Sequence, residues 1–544
     1  MVKLLDNYQT NATAFKDVGI KVPEFNQVTM QTETKENPVW VHFGGGNLFR
    51  CFHSKIAQTL LNQKELKSGV IVAETYDDEV IERAYHSYNN RFLCVTMKSD
   101  GTFDKELIAS VAEAIYYSQQ NPKGWQQLTQ IFESPSLQMA TFSITEKGYA
   151  ISDLTGALTA AAKRDIENGP DKAQTNMGAV AHLLYARYQA GQYPIAMVST
   201  DNFSENGKKL EDAVLKIAKG WVKNGLVKSD FLNYLQDDHK VSFPWSMIDR
   251  ITPNPAENVA EDLKAEGFAD TQIIHTAKHT NVAPFANTEE THYLVIEDNF
   301  PNGRPALDKA GVLLTDRATV NDADQMKVTA CLNPLHTALA IFGNLLGYTS
   351  ISDELADPDL KQLIMNLGYG EDLPVVKDPK IINPKTFIDE LINRRLPNKN
   401  IPDTPQRIAS DTSQKIPVRY GVTLQHYVDN PNLDPQKLVF IPFILAGWCR
   451  YLMAIDDNGN PFTPSADPLL VKMQAYLKDI KLGGEVAVHP YLKPILSNKT
   501  IFGNDLYEIG LGEKVESYFK DLINGVGAVR QTLHRIVTEE KYKL

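Results

Sequence analysis

Six short runs rich in β-branched and aromatic residues set the first constraint on this chain: VWVHF (39–43), VIVAE (70–74), FLCVTM (92–97), MATFSIT (139–145), IAMVST (195–200) and HYLVIED (292–298). Helix-patterned segments separate them, so consecutive runs are joined by crossovers, the connection that makes strands parallel. The expected fold class is α/β, with an N-terminal domain built on a mostly parallel sheet. Beyond residue 298 the segment DNFPNGRPALDKAG (298–311) is punctuated by Pro and Gly and reads as the crossing to a second domain. Apolar residues then recur three and four apart, as in LGEKVESYFKDLINGVGAVRQTLHRIV (511–537), the spacing of helices with one buried face. The predicted division is 1–316 for the sheet domain and 317–544 for a mainly α-helical domain.

A chain of 544 residues exceeds what one hydrophobic core serves, which agrees with two domains. Its 67 acidic against 55 basic residues leave a formal charge of −12, the wrong sign for non-specific contact with nucleic acid. Cys51, Cys94, Cys331 and Cys449 form no Cys-x-x-Cys pair, so neither a disulfide framework nor a metal site is expected, and a reducing cytoplasm fits best. The start, MVKLLDNYQTNATAF, lacks the apolar core of a secretion signal. The longest apolar run, LVFIPFILAGWC (438–449), is well short of the roughly 20 residues a membrane span needs, so it is predicted to be a buried helix and no membrane partner is expected.

The first run leads into GGGNLFR (44–50) and then a helical pattern, SKIAQTLLNQ. In a strand, glycine turn, helix sequence, Gly44 permits the turn and Gly46 lets backbone N–H groups approach a pyrophosphate, which the helix N-terminus also favours. Phe49 stands where the usual fingerprint has its third glycine, and a plain glycine-rich turn is the alternative reading. The next run, VIVAETYDD, ends in acidic residues. A carboxylate there, Glu74 first and Asp77 second, can accept both ribose hydroxyls of NAD and would repel the 2′-phosphate of NADP, so NAD is the expected cofactor. The separation from the glycines exceeds the customary ~20 residues, so the first helix or its loop must be long.

The stretch KVTACLNPLHTALAIFG (327–343) places a lysine, an asparagine and a histidine in apolar surroundings. On a helix Asn333 and His336, three apart, share a face. In the plainer reading Asn333 is an N-cap with Pro334 at the first helical position, and His336 is an interior histidine. Lys327 lies beside Val328, Ala330, Cys331 and Leu332. Desolvation there would lower its pKa toward the range of a general acid/base, unless only its stem is buried and the ammonium reaches water.

These residues resemble those of the polyol-specific long-chain dehydrogenase/reductase (mannitol dehydrogenase) family, whose members carry Lys, Asn and His in this order between a Rossmann-like and a helical domain. Further segments resemble the family's in the same order: GGGNLFR, TEKGY (145–149), TDNFSENG (200–207), MIDRITP (247–253) and RIASDTSQKIP (407–417). The resemblance implies Lys327 as general acid/base, Asn202 and Asn333 as donors to the reacting oxygen, and His336 as the holder of a substrate hydroxyl. Arg407 and Lys415 would contact the distal end of a sugar acid, and Arg419 is a further candidate cation for its carboxylate. Asn47, Leu48, Phe49 and Arg50, with the two glycines and Glu74 or Asp77, would line the cofactor, and Glu146 and Asp249 would support it. The implied reaction is NADH-dependent reduction of a keto-uronate, fructuronate to mannonate, in carbohydrate metabolism by a monomer or small homo-oligomer. Tagaturonate and neutral polyols are the alternative substrates, and a non-catalytic nucleotide-binding protein is the alternative of another class.

One departure stands out. The family pattern has four residues between Lys and Asn, whereas Val328 to Leu332 make five here. At ~100° per residue, Lys327 and His336 would point to opposite sides of a regular helix. A π-bulge would reduce their effective separation to eight and the angle to roughly 80°. Pro334, with no N–H for the carbonyl of Ala330 and a ring that clashes there, makes such a bulge expected. HTAKH (275–279) also places two histidines four apart, a spacing that could hold zinc on a helix face, but Thr276 stands where a zinc-protease motif has Glu and no third ligand is apparent.

Overall fold

In the strands β1 (Trp40–Phe43), β2 (Val70–Glu74), β3 (Val111–Tyr116), β4 (Met139–Phe142), β5 (Ile195–Ser199) and β6 (Val241–Ser242), successive side chains alternate between two covered faces. Val41, Phe43, Ile71, Ala73, Ala140 and Phe142 enter one apolar layer, while Trp40, Val70, Val72 and Met139 enter the other. Burial on both faces is why these runs read as near-continuous apolar stretches instead of alternating ones. The strands form one sheet in the order β3-β2-β1-β4-β5-β6, every pairing parallel. This is the doubly wound dinucleotide-binding order, in which the connections reverse direction between β1 and β4 and open a crevice at the carboxyl ends of those strands.

The computed structural model describes residues 1–153 and 156–540. They fall into two compact units, 1–98 with the described residues of 102–321, and 99–101 with 322–540. Two of the six runs lie outside the parallel sheet. Phe92–Met97 joins a four-stranded sheet, antiparallel to Phe103–Ile108 and parallel to Phe285–Glu289. Tyr293–Glu297 pairs antiparallel with Ser246–Asp249 in a three-stranded sheet. Their places are taken by VAEAIY (111–116) and VS (241–242), whose Ala, Glu and shortness give a weak strand pattern. The segment 298–311 lies inside the first unit, and the chain passes to the second between Asn321 and Asp322.

Three helices matter for the site: α1 (Ser54–Asn62), α2 (Arg317–Met326) and α3 (Asn333–Leu346). Apart from one isolated bridge, Ile455 to Pro461, the named elements among the described residues of 322–540 are helical. LVFIPFILAGWC forms most of the helix Phe440–Leu452, in which every residue is buried. The buried Glu371 carboxylate accepts from the backbone N–H groups of Val439, Phe440 and Ile441 at 2.5, 2.9 and 2.7 Å, satisfying donors at the helix start that would otherwise be orphaned. Glu371→Ala is expected to cost about 2 to 3 kcal/mol, measurable as a fall in urea midpoint without loss of secondary structure.

Candidate active site

In the first unit the glycine turn is built as a cradle at the end of β1. Gly44 has φ +107°, and a Cβ there would lie 2.3 Å from the backbone oxygen of Ser143 at the end of β4, so only glycine fits. Around Gly46 a Cβ would meet nothing within 4 Å, so its backbone faces open space. The Glu74 carboxylate at the end of β2 accepts from the N–H of Gly45 and of Tyr76, both at 2.8 Å, which fixes an acidic group against the turn. Asn47 donates to the carbonyl of Pro253 at 3.5 Å, and its Oδ1 is buried without a partner. Leu48 is half-buried beside it. An open glycine backbone and a strand-end carboxylate fit the pyrophosphate and ribose of a dinucleotide.

Other residues assigned to the cofactor are committed elsewhere. Phe49 is fully buried and stacks on His42 at 4.5 Å. Arg50 is buried with its guanidinium 4.6 Å from the Phe92 ring, donating to the carbonyl of Ala283 at 2.7 Å. Both belong to a wide π-turn, Phe49–His53, that leads into α1 and turns them inward. Asp77, 1% exposed, caps the next helix through the N–H of Glu79 at 3.2 Å and accepts from the Thr276 hydroxyl at 2.6 Å, so it is an N-cap and not an open ribose acceptor. Glu146 is exposed and paired with Lys209. Asp249 is buried at the end of its strand. Asn202 is exposed just beyond β5. Its neighbour Asp201, which the sequence reading left without a role, clamps the loop after β4 by accepting from the N–H of Ile144 and Thr145 at 2.9 and 2.8 Å and from the Tyr149 hydroxyl at 2.6 Å. His275 and His279 lie on a two-stranded hairpin, not on one helix face, and no group of three or more metal-binding side chains occurs among the described residues.

In the second unit the extra residue is absorbed as a wide turn. Residues Lys327–Cys331 are π-helical, with the N–H of Leu332 donating to the carbonyl of Lys327, five residues back, at 3.1 Å. The helix then breaks: Leu332 has φ −128° and ψ −60°, and α3 begins afresh at Asn333 with Pro334 in its first turn. The expected single bulged helix is therefore two helical segments meeting at Leu332, which also displaces Asn333 from the N-cap position to the first residue of α3. A proline needs no hydrogen-bond acceptor in a first turn, and this relieves the clash it would cause further along.

Lys327 is 2% exposed, and the buried Asp324 carboxylate stands 3.5 Å from its amine. The Asn333 carboxamide is half-buried and makes no hydrogen bond to the described residues. Nε2 of His336 lies 3.8 Å from the buried Asp403 carboxylate. Burial lowers the His336 pKa to about 4, with the Arg395, Arg419 and Arg407 cations acting in the same direction and Asp403 against it, so the imidazole is neutral at pH 7. Arg407 is held by Asp403, with Nε at 2.9 Å. Lys415 donates to the carbonyl of Ile408 at 3.0 Å. Burial, with Arg419 and Arg407 nearby, pushes its amine down to about 8. Asp324, Arg395 and Asp403 were not singled out in the sequence. Asp324 is three residues before Lys327 and Asp403 four before Arg407, helical pair spacings that could have found them, whereas nothing local marks Arg395.

Comparison with known proteins agrees with this architecture. The Mannitol dehydrogenase Rossmann domain matches residues 39–309 and the Mannitol dehydrogenase C-terminal domain matches 320–523. The chain is 51% identical to the D-mannonate oxidoreductase of Thermotoga maritima over 97% of both chains. It is 29% identical to the polyol:NADP oxidoreductase of Gluconobacter oxydans over 79% of this chain and 83% of that one. Among solved structures, a D-sorbitol dehydrogenase superposes with a TM-score of 0.78 at 25% identity, covering 94% of this chain and 97% of that one. The Pseudomonas fluorescens mannitol 2-dehydrogenase shares the fold, with a TM-score of 0.69 at 22% identity over 96% and 97%. Two domain matches in the expected order and a full-length relative at this identity lead to one conclusion: the chain belongs to the mannitol dehydrogenase family.

Proposed function

We propose that the protein is an NAD-dependent oxidoreductase that reduces a keto-uronate, fructuronate to mannonate, with Lys327 as the general acid. The observation that carries this reading is the buried Lys327 amine on a wide turn, followed at once by a helix whose first residue offers an unbonded carboxamide. The likeness to a D-mannonate oxidoreductase supports the substrate class. When bound, NADH supplies the hydride that reduces the ketone carbon.

Lys327 in its ammonium form gives the proton that the ketone oxygen takes up. Asn333 donates a hydrogen bond to that oxygen as negative charge develops, a contact that strengthens toward the transition state. The family assigns Asn202 the same part. Neutral His336 can both accept from and donate to a substrate hydroxyl, and the nearby Asp403 biases its tautomer. In the oxidative direction neutral Lys327 takes the proton back.

Glu74 carries the cofactor choice. Glu74→Gln keeps an acceptor for the Gly45 N–H but removes the charge that would repel a 2′-phosphate, and the ratio of NADPH to NADH use is expected to rise roughly tenfold. An unchanged ratio of initial rates contradicts this assignment. For the function as a whole the test is an initial-rate panel of fructuronate, tagaturonate, fructose and fructose 6-phosphate with each cofactor. The reading predicts fructuronate with NADH as the fastest pair; no NADH consumption with any of the four would rule it out. No helix among the described residues is long and apolar enough to cross a membrane.

A further inference from the structure

The second unit contains two kinds of arginine near His336. Arg407 is 70% exposed and already answered by Asp403, which its Nη2 meets at 2.5 Å. Arg419, in the wide turn Pro417–Gly421, is half-buried and has no carboxylate in ion-pair reach. Its Nη1 donates to the Thr337 hydroxyl at 2.5 Å and to the backbone carbonyl of Asn333 at 3.4 Å. Among the described residues Nε and Nη2 have no acceptor, and they reach accessible space. Loss of hydration pushes the guanidinium down to about 10, the response of a cation that lacks a compensating anion.

Lys415 lies four residues before Arg419. The two cations repel each other, and the protein supplies nothing at Arg419 to offset that cost. A half-buried guanidinium keeps its charge cheaply only when a partner meets its donors, and its planar fork matches a carboxylate in two parallel hydrogen bonds. Its anchoring to Thr337 and Asn333 holds the fork against the first turn of α3, beside the carboxamide proposed to meet the ketone oxygen. We propose that Arg419, flanked by Lys415, grips the carboxylate of the keto-uronate, and that Arg407 does not. This assignment rests on the substrate reading above and gives the protein its preference for sugar acids over neutral ketoses.

The test is steady-state rates of the full chain with fructuronate and with fructose, at saturating NADH, for wild type, Arg419→Gln, Arg419→Lys and Arg407→Gln. Arg419→Gln is expected to lower kcat/KM for fructuronate about a hundredfold, mostly through KM, and to leave fructose within about threefold. Arg419→Lys restores part of the loss, and Arg407→Gln changes the ratio of the two substrates by less than about threefold. Equal losses on both substrates in Arg419→Gln, or a lost sugar-acid preference in Arg407→Gln alone, would overturn the assignment. A wild-type protein that prefers fructose to fructuronate overturns the substrate reading itself, and this proposal with it.

Discussion

Replacing Lys327 with alanine is expected to lower kcat by about a thousandfold while leaving NADH affinity within about twofold. The proton that the ketone oxygen needs has no other donor in this account: His336, with its pKa lowered to about 4, is neutral, and the Asn333 carboxamide can donate a hydrogen bond but not a proton. The same substitution leaves the buried Asp324 without the cation 3.5 Å away. Breaking a buried ion pair by removing one partner costs about 3 kcal/mol or more, so the single variant is also expected to melt earlier. The double variant Lys327→Ala with Asp324→Asn separates the two effects: it recovers stability and not turnover. Loss of NADH binding in parallel with turnover would count against a role confined to proton transfer.

Glu354→Gln is expected to stabilise the second unit, and more so as pH rises. Glu354 is 0% exposed, and neither carboxyl oxygen has a hydrogen-bond partner. Its side chain fills space left by the missing side chain of Gly343 on α3, where a Cβ would lie 1.7 Å from Oε1. Burial, with the Asp403 and Asp357 carboxylates, pushes its pKa from 4.5 up to about 9. The folded protein therefore keeps a proton that the unfolded chain releases above pH 4.5. Stability falls with rising pH wherever the folded state binds more protons, so this contribution is intact below about pH 4.5 and is lost progressively toward pH 9. Between pH 5 and 8 the wild type should lose roughly 4 kcal/mol relative to the glutamine variant, which does not titrate. Thermal scans should show the two melting curves separating by about 10 °C at pH 8 and nearly meeting at pH 5. Parallel curves at both pH values would mean that Glu354 finds a partner and ionises normally.

How far the sequence could be read depends on whether the signal was local. The parallel sheet was legible because its central strands are buried on both faces and are mostly apolar, with Val, Ile, Met and aromatic residues. Val111–Tyr116, half of it Ala and Glu, was not, because a sheet edge asks less of its residues. FLCVTM looked the same as the central strands, since pairing partners are set by distant segments that no window contains. The wide turn at Lys327 was legible from a count of residues and one proline. The full break at Leu332 was not, because backbone angles at a junction answer to the packing of both helices. At the site, Glu74 and the glycines meet at one turn, whereas Asp77 and Arg50 have suitable chemistry but turn inward. Around His336, Asp403 was marked only by its spacing from Arg407, and Arg395 comes from a stretch of chain with no motif at all.

The central claim is that hydride passes from NADH to the ketone carbon of a sugar acid on this protein. Fructuronate incubated with the full chain and NADH deuterated at the transferable position should yield mannonate carrying one deuterium on the carbon bearing the new hydroxyl, with NADH consumed in equal amount. Mannonate without deuterium, or NADH that is bound but never consumed, would contradict it.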